Sequence, residues 1–172
     1  LEEIEILKGN SDREKVYAHR KFAEPMLDYV VSDFEKARIA CDDNSIGGMV
    51  VCDSAAQAKM LFEIFQSKYA TKYADSGEVD MAAEPLVGYG NQKKSESKVT
   101  RAALILHDIG TKQDRKDEVE DFKDGKVDLL FVYNMLLTGF DAPRLKKLYL
   151  GRVIKSHNLL QTLTRVNRTY KS

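Results

Sequence analysis

Hydrophobic and polar positions alternate along the chain in blocks that predict strands followed by helices. Four short apolar runs have the length of buried strands: 48–52, 102–107, 128–133 and 147–150. An amphipathic stretch follows the first run, and Ser54 precedes Gln57 with the spacing of a helix capping box. A charged stretch over 113–123 follows the second run. Strands that alternate with helices favour a parallel sheet with helices on both faces.

Two helices are predicted before the first strand. Asp12 can cap the first helix, and Pro25 is expected in the first turn of the second. The polar residues 42–44 are expected to end the second helix. We therefore expect residues 1–45 to form a helical lead-in that packs on a domain formed by residues 46–172.

The later part of the chain contains one irregular stretch and one further helix. Residues 74–100 combine glycines, a proline and a polar run, which is typical of a long surface loop or an insertion. Ser156 can cap a helix that turns apolar side chains inward: Leu159, Leu160, Leu163 and Val166. Because residue 1 is leucine, we expect the chain to be a piece of a longer protein.

Composition excludes several classes of protein. The 172 residues are 43% hydrophobic and 31% charged, which fits neither a disordered chain nor a coiled coil nor a collagen. No apolar run approaches the roughly 18–20 residues that cross a membrane, and no signal peptide is visible. Two cysteines without a CxxC pair and three scattered histidines predict no metal site and fit a reducing cytoplasm.

Charge is balanced overall, with 27 basic and 27 acidic residues, but it is unevenly distributed. From Arg144 to Ser172 the chain carries eight basic residues and no acid. Such a block favours a phosphate-bearing partner, either a nucleotide or a nucleic acid. A solvated basic face would have the same composition.

The phosphate-binding loop of an ATPase is missing. Its pattern requires a glycine, four residues and then Gly-Lys-Ser/Thr, whereas the one Gly-Lys pair, Gly125-Lys126, has Glu120 and Val127 at the flanking positions. The acid pair Asp117-Glu118 follows polar residues rather than an apolar strand, so we expect it on a solvated helix face. The chain alone is therefore expected not to hydrolyse ATP.

The run Leu-Leu-Thr-Gly-Phe-Asp-Ala-Pro at residues 136–143 follows a predicted strand. The carboxyl ends of parallel strands are where ligands bind in such sheets. Thr138 can bond a phosphate, Gly139 permits close approach of the backbone, and Asp141 can accept a hydrogen bond from a ribose hydroxyl. A tight turn with a helix-capping aspartate is the structural alternative.

A second stretch contains Gln161, Arg165 and Arg168, which helical spacing places on one face. Two guanidinium groups and an amide on one face suit a polyphosphate, because arginine offers a rigid fork of donors. A solvated basic helix end would share this spacing.

Together, these two stretches resemble motifs V and VI of superfamily 2 helicases. The run at 136–143, followed by Leu-Tyr-Leu, His-Asn-Leu-Leu-Gln and Arg-Val-Asn-Arg, is similar to the motor (restriction, HsdR) subunit of type I restriction–modification enzymes. Residues 47–66 resemble the motif IV region of the same family. The resemblance implies the second RecA-like lobe of the motor, a three-layer α/β/α domain with a mainly parallel sheet, truncated after motif VI.

The resemblance also implies roles for single residues. Arg168 would be the arginine finger and Arg165 its partner on the γ-phosphate, with Gln161 supporting both. Two further residues, Gly139 and Asp141, would line the nucleotide side of the cleft between two motor lobes. Thr138 would couple that cleft to the DNA strand, and Ser54 would lie in a loop near the DNA backbone.

The function implied by the resemblance is half of an ATP-driven translocase on double-stranded DNA, within an ATP-dependent type I site-specific deoxyribonuclease. ATP and Mg²⁺ would bind the full-length protein, whose first motor lobe, outside this chain, would hold the P-loop and the metal ligands. Its expected partners are DNA and the methyltransferase and specificity subunits, in the cytoplasm and without a membrane. The alternatives are an RNA or repair helicase lobe, and a non-catalytic RecA-like module that binds a partner protein.

Overall fold

A four-stranded sheet lies at the centre of the computed structural model, which describes residues 10–70, 98–134 and 140–151, with side chains from residue 13. The strands are β1 (Gly47–Val51), β2 (Ala102–Ile105), β3 (Leu129–Val132) and β4 (Leu145–Leu150). They lie in the order β2–β3–β1–β4, and the three adjacent pairs are all parallel. The predicted parallel sheet is confirmed, with strand ends that differ from the predicted ones by at most two residues.

The described helices are α1 (Asn10–Ala18), α2 (Arg20–Cys41), α3 (Ala55–Phe65) and α4 (Lys112–Lys123), with a π-helical turn at Gln66–Ala70. The helices predicted after Ser54 and over 113–123 are confirmed, and α2 ends before the polar residues 42–44 as expected. The predicted helix after Ser156 lies outside the described residues, as does most of the irregular stretch 74–100.

The beginnings of the two N-terminal helices differ from the prediction. Helix α1 already includes Asp12, so this residue is not its cap. Helix α2 begins at Arg20, and its N-cap is His19, whose Nδ1 accepts a hydrogen bond from the Lys21 amide at 3.2 Å. Pro25 therefore lies inside α2 rather than in its first turn.

Burial explains why α2 tolerates this proline. A proline inside a helix removes one backbone donor and costs about 3 kcal/mol. Helix α2 buries Leu27, Val30, Val31 and Phe34, and each large apolar side chain contributes roughly 1.5–3 kcal/mol when buried. The tertiary contacts of the helix therefore outweigh the local cost, which the sequence-based prediction judged from the proline alone.

Two hydrophobic cores lie on opposite faces of the sheet, which gives the molecule three layers. The first core joins α2 and α3 to one face and includes Leu27, Phe34, Leu61, Phe65 and Phe131. The second joins α4 and the segment 140–142 to the other face and includes Met49, Phe122, Leu130, Val132 and Phe140. This is the three-layer α/β arrangement of a RecA-like fold. The division of the chain at residue 45 stays a prediction, and α2 contributes to the same core as β1 and β3.

Gly47, at the start of β1, lies directly against Phe122 in the second core. A Cβ atom at this position would collide with the ring of Phe122 from α4. The glycine therefore lets α4 pack directly on the sheet at the amino end of the strands.

Candidate functional site

The loop after β1 contains one of the predicted site residues, Ser54, at the carboxyl edge of the sheet. Ser54 is the N-cap of α3, and its hydroxyl oxygen accepts a hydrogen bond from the Gln57 amide at 3.1 Å. The Gln57 side chain reaches back and accepts a hydrogen bond from the Asp53 amide at 2.7 Å. The capping interaction predicted from the spacing is thus present, although the return bond is made to the residue before the cap.

Burial restricts what Ser54 can contact. The residue is 2% exposed, because its hydroxyl turns inward to the helix that it caps. Next to it, the Asp53 carboxylate is 5% exposed and forms an ion pair at 3.0 Å with Arg13 of α1, whose side chain is half-exposed. Helix α1 therefore contacts this edge, and the contact of Ser54 with DNA stays a prediction.

Asp141 lies at the opposite end of the sheet from Ser54. The amide of Leu145, the first residue of β4, donates to the carbonyl of Ala142 at 3.0 Å, and Leu145 is paired with Gly47. This turn places Asp141 near the amino ends of β1 and β4, so the expectation that it lies at the carboxyl edge is wrong. Phe140, the neighbour of Asp141, packs on Phe122 of α4, and the Phe122 ring lies against Gly47 at this same amino edge. Asp141 itself is exposed between two buried neighbours, Phe140 and Ala142.

The remaining predicted site residues lie outside the described part of the chain: Thr138, Gly139, Gln161, Arg165 and Arg168. Their roles stay predictions. The structure therefore describes two of the seven predicted site residues, Ser54 and Asp141, and does not bring these two together.

Two basic residues of the terminal block have structural partners. Arg144 is 2% exposed and donates to backbone carbonyls, so it does not belong to a basic surface. Lys147 lies 2.9 Å from Asp33 of α2, and this hydrogen bond, together with one from Tyr149, holds the pKa of the Asp33 carboxyl below its usual value. The number of basic residues in this block therefore overstates the positive charge that could bind a phosphate, because these two side chains are already engaged within the fold.

The acid pair Asp117-Glu118 lies on α4, as predicted, and not at the end of a strand. Asp117 is exposed and accepts a hydrogen bond from Gln113 at 2.7 Å, while burial raises the pKa of Glu118. Within the described ranges, no group of three or more potential ligands could hold a metal ion. None of the helices in these ranges is both long and apolar enough to cross a membrane.

Sequence reasoning missed the buried ion pair between Arg38 and Asp128. The two charged groups lie 2.7 Å apart and are 2% and 3% exposed. Asp128 also accepts hydrogen bonds from the amides of Thr100 and Arg101, and Arg38 donates to the carbonyl of Ile46. The pair joins α2, the segment before β2 and the start of β3. No local pattern signals it, because the partners are 90 residues apart.

An exposed loop and a cleft follow β2 at the carboxyl edge, and sequence reasoning assigned them no role. The guanidinium of Arg115 donates to the carbonyls of His107, Ile109 and Gly110 at 3.0–3.1 Å, which holds the loop against α4. The cleft beside it, of about 750 Å³, is lined by side chains of both charges, among them Lys112, Lys116, Asp117 and Glu120.

Comparison with known proteins identifies the family. Residues 54–172, more than half of the chain, match the family model described as "Type I restriction enzyme subunit R domain 3". The chain therefore belongs to this family, and the resemblance seen in the sequence is confirmed.

Several relatives carry corresponding names. The chain is 57% identical over 42 residues to MjaVIIP of Methanocaldococcus jannaschii, named as a type I restriction enzyme endonuclease subunit (24% of this chain, 4% of the relative). It is 47% identical over 49 residues to the type I restriction enzyme SauCOLORF180P endonuclease subunit of Staphylococcus aureus (28% and 5%). It is 41% identical over 64 residues to the HindI endonuclease subunit of Haemophilus influenzae (36% and 6%). The matched segments thus cover 4–6% of these relatives' length.

Proposed function

We propose that this chain is part of the ATP-dependent motor that translocates double-stranded DNA in a type I restriction endonuclease. The observation that carries the proposal is the family match over residues 54–172, which contains both stretches singled out by their chemistry. The three-layer fold with a parallel sheet supports it, because such folds bind ligands at the carboxyl ends of their strands, which is where the loop containing Ser54 lies.

In this proposal the nucleotide is bound from several positions of the chain. Arg168 is the arginine finger, Arg165 contacts the γ-phosphate, and Gln161 supports both. Gly139 and Asp141 line the nucleotide side of the cleft, and the exposed Asp141 carboxylate suits a group that accepts a hydrogen bond from a ribose hydroxyl. Hydrolysis of ATP would supply the free energy, and the protein ligands of the Mg²⁺ that accompanies ATP would belong to the first motor lobe.

DNA is assigned to the other end of the sheet. Thr138 couples the nucleotide cleft to the DNA strand, and the loop that contains Ser54 lies near the DNA backbone. Ser54 and Asp141 lie at opposite ends of β1, and this separation fits a lobe that contacts two different ligands. Closure of the lobes on ATP and their reopening would then move the motor along the phosphate backbone.

The rest of the enzyme is assigned to other polypeptide segments and subunits. Cleavage belongs to a separate nuclease domain, while DNA recognition and methylation belong to the specificity and methyltransferase subunits. The complex acts in the cytoplasm. The names of the relatives support a place in a type I restriction enzyme, and the matched segments cover only a small part of those relatives.

Substitution of Arg168 in the full-length subunit tests the proposal. Arg168→Ala should retain folding and ATP binding but lose most ATP hydrolysis, and with it translocation and cleavage. An arginine finger acts on charge that develops in the transition state, so its loss should lower kcat by about 10³-fold or more with little change in KM. The measurement is steady-state ATP hydrolysis in the presence of DNA.

Two further variants make the result specific. Arg168→Lys should rescue little, because a point charge cannot replace a planar fork of donors. Lys171→Ala removes an equally basic residue three positions later and should retain nearly normal hydrolysis. Near-normal hydrolysis in both Arg168→Ala and Lys171→Ala would contradict the motor assignment and favour a module that only binds a partner protein.

A further inference from the structure

Arg144 follows the run at 136–143 directly and occupies an unexpected position for a residue of a basic block. It is 2% exposed, and its guanidinium carbon lies 4.8 Å from the centre of the Phe122 ring. Its Nε donates to the Ser45 carbonyl at 2.8 Å, and its Nη1 donates to the carbonyls of Val127, at 2.6 Å, and Phe122. A single side chain thus binds three separate backbone segments.

These segments meet at the amino end of the sheet. Ser45 leads into β1, Val127 leads into β3, and Phe122 lies in the last turn of α4, where the helix dipole favours a cation. The guanidinium group suits this position because its donors form a rigid fork that reaches several acceptors at once. A lysine ammonium, with its donors on a single atom, does not match this geometry.

The same contacts determine where Asp141 lies. The Phe140 ring packs on the Phe122 ring, with 5.9 Å between their centres. Arg144 covers the Phe122 ring and donates a hydrogen bond to the backbone carbonyl of Phe122. On the other side of Asp141, the carbonyl of Ala142 accepts from Leu145, the residue after Arg144. The contacts of Phe140 and Ala142 therefore fix the backbone on both sides of Asp141, while the Asp141 side chain is exposed.

We propose that Arg144 is a positioning residue, which holds Phe140 and the turn at 142–145 so that the Asp141 carboxylate faces the ribose of a bound nucleotide. This inference rests on the proposed function, because it assumes the contact between Asp141 and the nucleotide that was proposed there. It gives Arg144 a part in nucleotide binding without contact with the nucleotide.

The test uses Arg144→Lys in the full-length subunit, with Arg38→Lys as a matched control. Arg38 is also 2% exposed, and its guanidinium also lies 4.8 Å from a phenylalanine ring, that of Phe34, but it belongs to the other face of the sheet. Both variants should lower the temperature of unfolding. Arg144→Lys should raise KM for ATP about tenfold with kcat nearly unchanged, whereas Arg38→Lys should change KM less than about twofold.

A double variant separates positioning from general destabilisation. Asp141→Asn should raise KM for ATP, and adding Arg144→Lys to it should raise KM little further, because both changes remove the same contact. Hydrogen exchange of the Leu145 amide should be faster in Arg144→Lys than in Arg38→Lys. If Arg144→Lys does not fold, Phe140→Leu loosens the same packing, and its KM should rise in the same direction.

Several results would overturn the inference: equal KM changes in Arg144→Lys and Arg38→Lys, additive effects in the double variant, unchanged exchange at Leu145, or an unchanged KM in Phe140→Leu. Arg168→Ala, measured in parallel, distinguishes failure of the Arg144 inference from failure of the motor proposal. If Arg168→Ala abolishes hydrolysis while Asp141→Asn leaves KM unchanged, the motor assignment stands and the role of Arg144 fails. If Arg168→Ala hydrolyses ATP normally, the motor proposal fails.

Discussion

Buried arginines at two positions hold this fold together by binding backbone carbonyls as well as acids. Arg38 joins α2 to β3 through Asp128, and Arg144 joins α4, β1 and β3 through three carbonyls. Each guanidinium lies over the face of a phenylalanine ring. The attraction between the cation and the ring replaces part of the hydration that the guanidinium loses when it is buried. Breaking such a buried interaction by removing one partner is costly, because it leaves polar groups unsatisfied.

Ser54 offers a prediction at the scale of one residue. Ser54→Ala should lower the free energy of unfolding by about 1 kcal/mol, because α3 loses its N-cap, whereas Ser54→Gly should retain most of the stability, because glycine is itself tolerated at an N-cap. Urea unfolding of the chain measures both. The affinity of the full-length subunit for DNA should not change in Ser54→Ala, because the hydroxyl is buried and bound to the Gln57 amide. A lower affinity with an unchanged salt dependence would assign Ser54 a direct part in DNA binding, because a neutral hydroxyl can bond a phosphate without releasing a counterion.

At the scale of elements, two surface clusters tie α2 to its neighbours. Asp33 accepts hydrogen bonds from Lys147 and Tyr149 of β4. Asp28 accepts hydrogen bonds from Lys68 and Tyr69 in the turn that follows α3. In both clusters the hydrogen bond from the lysine is the largest cause that lowers the pKa of the aspartate, and the hydrogen bond from the tyrosine is the second. The pKa of each tyrosine is raised, first by burial and then by its hydrogen bond to the aspartate.

The lowered pKa values of the two aspartates predict how the stability of the chain depends on pH. A carboxyl whose pKa is lowered by folding contributes stability above its unfolded pKa of about 4, and this contribution is lost as the pH falls through the folded pKa. The chain should therefore lose stability below about pH 4. The double variant Asp28→Asn/Asp33→Asn should be less stable than the wild type near neutral pH but should lose less on acidification. Thermal unfolding measured across this pH range checks the difference, and equal losses in both proteins would exclude these two carboxyls.

At the scale of the whole molecule, the chain should behave as an incomplete motor. Purified alone, it should show no DNA-stimulated ATP hydrolysis, because the P-loop pattern is missing from its sequence. It should bind DNA weakly and without sequence preference, through phosphate contacts that weaken steeply as salt rises. Hydrolysis that survives removal of contaminants would contradict the proposed division of the active site between two lobes, and tight binding to one sequence at physiological salt would contradict a motor lobe.

The order of helices and strands followed from the sequence because it depends on local patterns. The strands β1 and β3 are short apolar runs, and the cap of α3 depends on residues three positions apart. The family resemblance was also local, since it rested on short runs such as residues 136–143. For the same reason, the prediction failed at Pro25, where the long buried face of α2 outweighed the local preference of proline.

Only the tertiary structure decided which charged residues are buried and where Asp141 lies. Arg144 and its carbonyl partners are 17 to 99 residues apart, and Lys147 and Asp33 are 114 apart, so no window of the sequence contains both members of a pair. In the sequence, Arg144 is one basic residue of eight; in the fold it is enclosed by α4, β1 and β3. Asp141 lies at the amino edge rather than at the expected carboxyl edge because Phe140 packs on Phe122 and Leu145 pairs with Gly47, and these contacts join distant segments.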